Sequence, residues 1–298
     1  MEPAAISLRG VVKRFGAVTA VDGLDLEVRP GLCFGLLGPN GAGKSTTMRM
    51  LTAQSIADEG EIEVLGWSVP ADSKQARAAM GVVPQLDNLD VELSTREILE
   101  VFARLYRVPA ADRAGAIDRA LELANLVDRA ATRVDQLSGG MRRRLLIARG
   151  LVHAPRLVLL DEPTVGLDPQ VRQELWALID RLRADGVTVL MSTHYIEEAE
   201  RLADVVAVMT AGRIVELGPP AEIVARHAGR EVVEAYGPPD VLRAMEAEAE
   251  GGGRPTRRTG TALAFLRAEE LDGRMPDGVR RPANLEDAFV ALTGQDIE

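Results

Sequence analysis

Apolar positions along the chain follow two rhythms. "ISLRGVV" (6–12) has the short apolar spacing of a strand, and "VDGLDLEV" (21–28) alternates apolar and polar residues as a half-buried strand does. "CFGLL" (33–37) is apolar throughout, which suits a strand covered on both faces. "STTMRMLTA" (45–53) continues from it as a helix. From about 92 to 153 the spacing becomes helical. "STREILEVFARLY" opens with Ser94 as a cap and Glu97 three residues later, and "RAGAIDRALELANL" (113–126) is a second amphipathic helix. Short apolar runs then return in "LVLL" (157–160), "VTVLM" (187–191) and "VVAVM" (205–209), separated by helices such as "QVRQELWALIDRLRADG" (170–186). "GRIVELG" (212–218) reads as a closing hairpin strand. Strands alternating with helices predict an α/β fold on a mainly parallel sheet, with a helical block at about 89–156 inserted between strands.

Pro219 and Pro220 mark an expected boundary, giving a main domain over 1–218 and a small α/β accessory domain over 219–298. In the second part "EVVEAY" (231–236) predicts a strand and "PPDVLRAMEAEAE" (238–250) a helix, while "TALAFLRAEEL" (261–271) is mixed. "EGGGRPTRR" (250–258) reads as a turn or flexible loop with solvated arginines. "NLEDAFVALTG" (284–294) predicts a last short helix capped by Asn284. No internal repeat is present.

Composition narrows the picture. The 298 residues are 46% hydrophobic, enough for one sizeable core and a smaller one, but only 3% aromatic, so the core rests on Leu, Val, Ile and Ala. A net charge of −10 argues against nucleic acid as a partner, since that needs a basic face, but leaves room for a local anion site. The single cysteine, Cys33, lies in an apolar run, where it predicts a packed thiol in a reducing cytosol. "MEPAAISLRG" has neither the basic nor the apolar region of a signal peptide, and no stretch of 18 apolar residues occurs. The expectation is a protein that is soluble or held at a membrane by a partner.

"LLGPNGAGKSTTMRM" (36–50) carries the first specific chemistry. Gly38 to Ser45 match G-x-x-x-x-G-K-[ST] between a strand and a helix, the context a phosphate-binding loop requires. Gly41 and Gly43 allow the chain to bend until successive N–H groups point inward as an anion nest, and the following helix adds its positive end. Lys44 supplies a charge for the β- and γ-phosphates, and Ser45 offers a hydroxyl to Mg²⁺. Pro39, Asn40, Ala42 and Thr46 complete the expected cradle.

"LVLLDEP" (157–163) is an apolar strand ending in two carboxylates that point in different directions. Asp161 is assigned to the metal and Glu162 to general-base or water-polarising work. In "LSGGMRRRLLIARGLV" (137–152), Ser138, Gly139 and Gly140 precede a helix with apolar positions at 141, 145, 148 and 151–152. They form a second anion site. One triphosphate rarely needs two, so a dimer in which each copy closes on the other's nucleotide is expected. Arg142, Arg143 and Arg144 read as a solvated helix face.

With these motifs in this order the chain resembles the ATP-binding-cassette ATPases over residues 6 to about 218. The resemblance implies a P-loop NTPase core with an antiparallel β-subdomain and an inserted helical subdomain. It implies that Phe15 stacks on adenine, where Tyr is commoner, and that Gln85 in "VVPQ" touches Mg²⁺ and senses the transporter. It further implies that Asp168 in "GLD" crosses the dimer interface and that His194 in "MSTHYIEEAE" meets the γ-phosphate. His153 and His227 match no motif. The stretch 84–106 resembles the ATPases of nodulation-factor exporters. "NLEDAFVALTG" resembles the C-terminal ends of those proteins and of daunorubicin-type drug-export ATPases. The implied function is the MgATP-hydrolysing subunit of a bacterial export system. It would work as a homodimer at the cytoplasmic face of the inner membrane and drive a separate permease. A soluble cassette ATPase in cofactor assembly or translation is the alternative. A regulatory module with a degenerate ATPase is less consistent with a full set of catalytic positions.

Overall fold

A computed structural model describes residues 3–270 and 277–294. The chain opens with β1 (Ile6–Phe15) and β2 (Val18–Val28), an antiparallel pair, followed by β3 (Cys33–Leu37) and α1 (Lys44–Leu51). The pattern left the next stretch unassigned. It holds β4 (Glu59–Val64), β5 (Trp67–Val69), α2 (Ser73–Ala78) and β6 (Met80–Val83). β4 and β5 extend the first pair into an antiparallel sheet of order β2-β1-β4-β5. Between β6 and β7 (Leu157–Asp161) run three helices, α3 (Thr95–Leu105), α4 (Arg113–Leu123) and α5 (Gly139–Leu151). Next come α6 (Pro169–Ala184), β8 (Thr188–Thr193), α7 (Ile196–Leu202), β9 (Val205–Thr210) and β10 (Arg213–Gly218).

The central sheet has the order β10-β9-β3-β8-β7-β6, parallel except for the β10 edge. Side chains alternate across a strand, and each central strand feeds two cores accordingly. Cys33, Leu37, Val158, Leu160, Val189 and Met191 join an apolar cluster with α3–α7. Phe34, Leu36, Leu157, Leu159 and Leu190 join a second cluster with α1 and the antiparallel sheet. Burial on both faces explains why these strands are unbroken apolar runs. Burial also drives the Cys33 thiol up to about 12, so it packs as an apolar group and stays unreactive.

The remaining elements are α8 (Pro220–His227), β11 (Glu231–Tyr236), α9 (Pro239–Gly251), β12 (Thr256–Thr259), β13 (Ala262–Phe265), β14 (Val279–Pro282) and α10 (Leu285–Thr293). The four strands form a third, antiparallel sheet of order β12-β13-β11-β14. α8 and α10 do not form a separate core: Ile223, Val224, Leu285, Ala288 and Phe289 belong to the cluster that includes α3–α7. Asn284 caps α10, its side chain accepting from the Asp287 N–H while the Asp287 carboxylate accepts from the Asn284 N–H. The mixed stretch 261–271 resolves into β13 and a 3-10 turn at Ala268–Glu270, with residue 271 outside the described residues, as are 1–2 and 295–298 at the ends of the two expected domains.

One expectation for this part needs correction. Residues 250–258 are not all loop, since β12 starts at Thr256, and their arginines are not all solvated. Arg257 is 5% exposed, bonded to Asp287 at 3.1 Å and to Glu286. A composition rich in Gly and Arg hid a strand whose inward cation meets a buried carboxylate.

Candidate functional site

Four neighbouring strands of the central sheet deliver the site from their C-terminal ends, the usual binding edge of a parallel α/β sheet. β3 leads into loop 38–43, β8 into His194, β7 ends in Asp161–Glu162, and β6 leads through Pro84 to Gln85. Register aligns them: Leu37 pairs with Thr193, Asp161 with Ser192, and Val83 with Leu160.

The loop after β3 is fixed by close backbone approach. A Cβ on Gly38 would lie 2.2 Å from the Met209 carbonyl oxygen. Gly43 has φ +104°, and a Cβ there would lie 2.5 Å from the Ala20 carbonyl oxygen. Gly43 is also the N-cap of α1, whose first turn carries neither a side-chain cap nor an acidic residue, so the positive end of the helix is open to an anion. Ala42 is buried, Pro39 and Thr46 are half-buried, and Asn40 and Gly41 stand exposed at the crest.

Lys44 is buried, with 4% exposure. Its Nζ donates to the carbonyls of Gly38 (2.7 Å) and Pro39 (3.1 Å) and lies 3.8 Å from Glu162 Oε1. Burial pushes the ammonium below its ordinary pKa, against the pull of Glu162 and then Asp161. Carbonyls are weaker partners for a buried cation than anions are, which is the electrostatic signature of a site built for a polyphosphate.

The two carboxylates do point to different partners. Asp161 Oδ1 accepts from Ser45 Oγ at 3.1 Å and from Ser192 Oγ. Glu162, 6% exposed, accepts from Gln85 Nε2 at 2.8 Å and lies 3.2 Å from His194 Nδ1. The Glu162 backbone is left-handed, φ 45°, at a cost of about 1–3 kcal/mol for a residue with a Cβ. That twist separates the directions of the adjacent acids. Its N–H is held by the Ser192 carbonyl and hydroxyl, each at 3.1 Å.

The oxygens of Ser45, Asp161 and Gln85 suit a hard cation such as Mg²⁺. Among the described residues no group of three or more His, Cys, Asp or Glu side chains could hold a metal.

Lys44, Ser45, Gln85, Asp161, Glu162 and His194 thus converge. Phe15, Ser138 and Gly140 make their contacts elsewhere, and Gly139 and Asp168 are exposed. Phe15 ends β1 as a 52% exposed ring with Lys13 Nζ 5.2 Å from its centroid, on the hairpin whose Ala20 backs Gly43. Ser138 caps α5, accepting from the Met141 N–H at 3.3 Å. Gly139 faces open space, whereas a Cβ on Gly140 would lie 2.7 Å from Val171 on α6. Asp168, exposed, precedes Pro169 at the start of α6 without capping it.

Two residues were missed or misread. Ser192, just before His194, bridges both acids; a hydroxyl in an apolar strand was its signal. Arg143 is not on a solvated face. It is 7% exposed and donates to five carbonyls, among them Pro163 at 2.7 Å and Pro84 at 2.6 Å. Its neighbours on α5 from Leu145 to Leu151 are all buried, so the helix has no wet face at that point. Arg144 pairs with Glu174 at 3.3 Å, and Arg142 donates to the Leu137 and Asp135 carbonyls.

The family model described as "ABC transporter" matches residues 21–165. Nod factor export ATP-binding protein I of Ralstonia nicotianae is 43% identical over 304 residues, spanning 98% of this chain and 94% of that relative. The protein of the same name from Cupriavidus metallidurans is 44% identical over 303 residues, covering 99% of each chain. Among solved structures, cbiO1 from Clostridium perfringens, part of the ABC transporter complex cbiONQ, aligns with TM-score 0.70 and 25% identity over 85% of this chain and 98% of that one. A dimeric ATP-binding cassette in a post-hydrolysis state, bound to ADP and Pi, aligns with TM-score 0.64 and 27% identity over 72% and 98%. Strand-end geometry and near full-length identity converge: the chain belongs to the ABC transporter family of ATP-binding subunits, enzymes that hydrolyse ATP.

Proposed function

We propose that the chain is the MgATP-hydrolysing subunit of a bacterial export system, acting as a homodimer on separate integral-membrane permease subunits. Residues 1–218 form the cassette, 89–156 its helical part, and 219–298 an accessory region. The observation that carries this reading is the convergence of Lys44, Gln85, Glu162 and His194 on one strand-end site, while the Ser138 side chain caps α5 and Gly139 faces open space. Export is supported by the near full-length identity to relatives named for it. Among the described residues no helix is long and apolar enough to cross a membrane. Membrane engagement then falls to the permease, with this subunit peripheral at the cytoplasmic face of the inner membrane.

Loop 38–46 receives the phosphates on its N–H groups, and the Lys44 ammonium exchanges its carbonyl partners for β- and γ-phosphate oxygens. Ser45, Asp161 and Gln85 would hold Mg²⁺, which would supply charge neutralisation when bound. The Phe15 ring stacks on adenine. Glu162 accepts a proton from water as the water oxygen bonds the γ-phosphorus and the bond to ADP breaks, releasing ADP and phosphate. His194 orients Glu162 and meets the γ-phosphate. Ser138, Gly139 and Gly140 close on the nucleotide of the other copy, and Asp168 crosses the same interface. The clamped nucleotide supplies the differential stability that drives closure.

Glu162→Gln with MgATP tests this. Turnover is expected to fall about 10²- to 10⁴-fold while ATP is retained and a dimer elutes on size exclusion. Normal turnover would refute the role of Glu162, and a monomer saturated with ATP would refute the shared site.

A further inference from the structure

Arg143 is a buried cation whose hydrogen bonds, among the described residues, all go to backbone carbonyls. Its Nε donates to the Pro163 carbonyl at 2.7 Å, Nη1 to Pro84 (2.6 Å) and Gln85 (3.2 Å), and Nη2 to Asp161 (3.1 Å) and Glu162 (3.0 Å). A guanidinium has five N–H groups, and all five are used. The acceptors lie in two segments: the turn after β6 that carries Gln85, and the end of β7 that carries Glu162. The side chains of those two residues meet at 2.8 Å. One planar group therefore holds both backbones while their side chains meet in the site. It also bonds the carbonyl of Glu162 and both flanking carbonyls, across the left-handed twist at φ 45°. A strained conformation persists where its surroundings over-determine it, and Arg143 is a large part of those surroundings.

Arg143 is rooted five residues beyond Ser138 on the same helix, whose Gly140 packs tightly on Val171 of α6. α5 is thus the rigid link between the Ser138 turn and the catalytic carboxylate of its own chain. We infer that Arg143 is a positioning residue that fixes Glu162 against Gln85 and relays engagement of the Ser138 turn to them. This rests on the proposed role of Glu162 as the water-polarising base. Arg143 does not touch nucleotide, and acts through the Glu162 and Gln85 backbones.

Lysine keeps the charge but replaces the fork with one point donor, which cannot span both segments. Arg143→Lys in the full chain is expected to lower kcat about ten- to a hundredfold, the scale of a misplaced catalytic group. KM for ATP is expected to stay within about twofold, because the phosphate loop is untouched. Combined with Glu162→Gln, it is expected to cost no further kcat, since both substitutions remove one device. Wild-type turnover in Arg143→Lys, an equal loss through KM, or additive losses in the double variant would each overturn the role. Arg143→Gln, with fewer donors and no charge, is expected to lie below Arg143→Lys; the reverse order would count against the fork. Should Arg143→Gln fail to fold, the Arg143→Lys comparison decides alone. Normal turnover in Glu162→Gln by itself would instead refute the underlying reading.

Discussion

Asp287 and Glu198 are both wholly buried carboxyls, each 0% exposed, and they lie on α10 and α7, two helices packed against each other. Their electrostatic fates are opposite. Burial alone would push Asp287 up, but the Arg281 guanidinium, the Asn284 N–H and Arg257 outweigh it and hold the carboxyl below its ordinary range. Arg281 donates at 2.6 and 2.8 Å, one bond to each oxygen, and Arg257 at 3.1 Å. Among the described residues neither oxygen of Glu198 has a well-formed hydrogen bond. Burial pushes its carboxyl up, and nearby Thr193, Thr164, Trp176 and the Arg172 charge offset this only in part. Donors rather than depth decide whether a buried acid keeps its charge. The distribution suits each place. The accessory sheet is locked by ion pairs, whereas Glu198 is turned inward on α7 while Glu197 and Glu200 of the same helix stand at the surface beside His194.

The largest expected contrast is in stability. Asp287→Ala takes the buried carboxylate away from Arg257 and Arg281, which keep their bonds to Glu286 and Glu234, and removing one partner of a buried pair costs about 3–5 kcal/mol. Because those two acids remain, a value near about 3 kcal/mol is expected. Glu198→Gln keeps the shape and removes no strong bond, so its change is expected within about 1 kcal/mol. Denaturant midpoints with unchanged slopes measure both. Equal losses would erase the distinction between the two acids.

The same pair marks what the sequence could disclose. Asn284 with Asp287 three residues on is a local capping pattern, and the last helix with its cap was readable from "NLEDAF". Arg257 and Arg281 reach Asp287 across 30 and 6 residues through sheet pairing, which no local rule encodes. The nucleotide face divides likewise. Residues 38–45 and 161–162 are legible because their chemistry is contiguous, and β3, β7 and β8 because burial on both faces writes unbroken apolar runs. β6 spans only Met80–Val83, too short for a period, and β4 was passed over although Ile62 and Val64 alternate with Glu61 and Glu63. Arg143 is not legible because three consecutive arginines look like a wet surface until the 84–85 turn and the 161–163 segment take up the middle one.

A pH series sharpens the contrast through sign. Asp287 has a folded pKa below its ordinary 3.8, so it contributes stability above that value and loses it as pH falls through the folded pKa. Glu198 has a folded pKa above its ordinary 4.5, so its contribution is complete below 4.5 and is lost as pH rises through the folded pKa. Asp287→Asn is therefore expected to flatten the acid limb of the stability curve, and Glu198→Gln to remove erosion on the other side. Each proton carries at most about 1.4 kcal/mol per pH unit. If both variants altered the same limb, one of the two assignments would be reversed.

The smallest expected effect is on the nucleotide. A fixed negative charge on α7 would repel the triphosphate at a site where Asp161 and Glu162 already stand, and removing it would strengthen binding. Glu198 is wholly buried on α7 and bonds no group of the site, so Glu198→Gln is expected to leave ATP affinity within about twofold by calorimetry near neutral pH. Asp287→Asn is expected to do the same for a different reason, since its charge is already cancelled by Arg281 and Arg257. Tenfold tighter ATP binding in Glu198→Gln, with no such gain in Asp287→Asn, would mean that Glu198 carries a full charge in the folded protein. Burial would then not outweigh the pull of Thr193, Thr164, Trp176 and Arg172, and the lesson drawn from the two acids would fail at its simpler member.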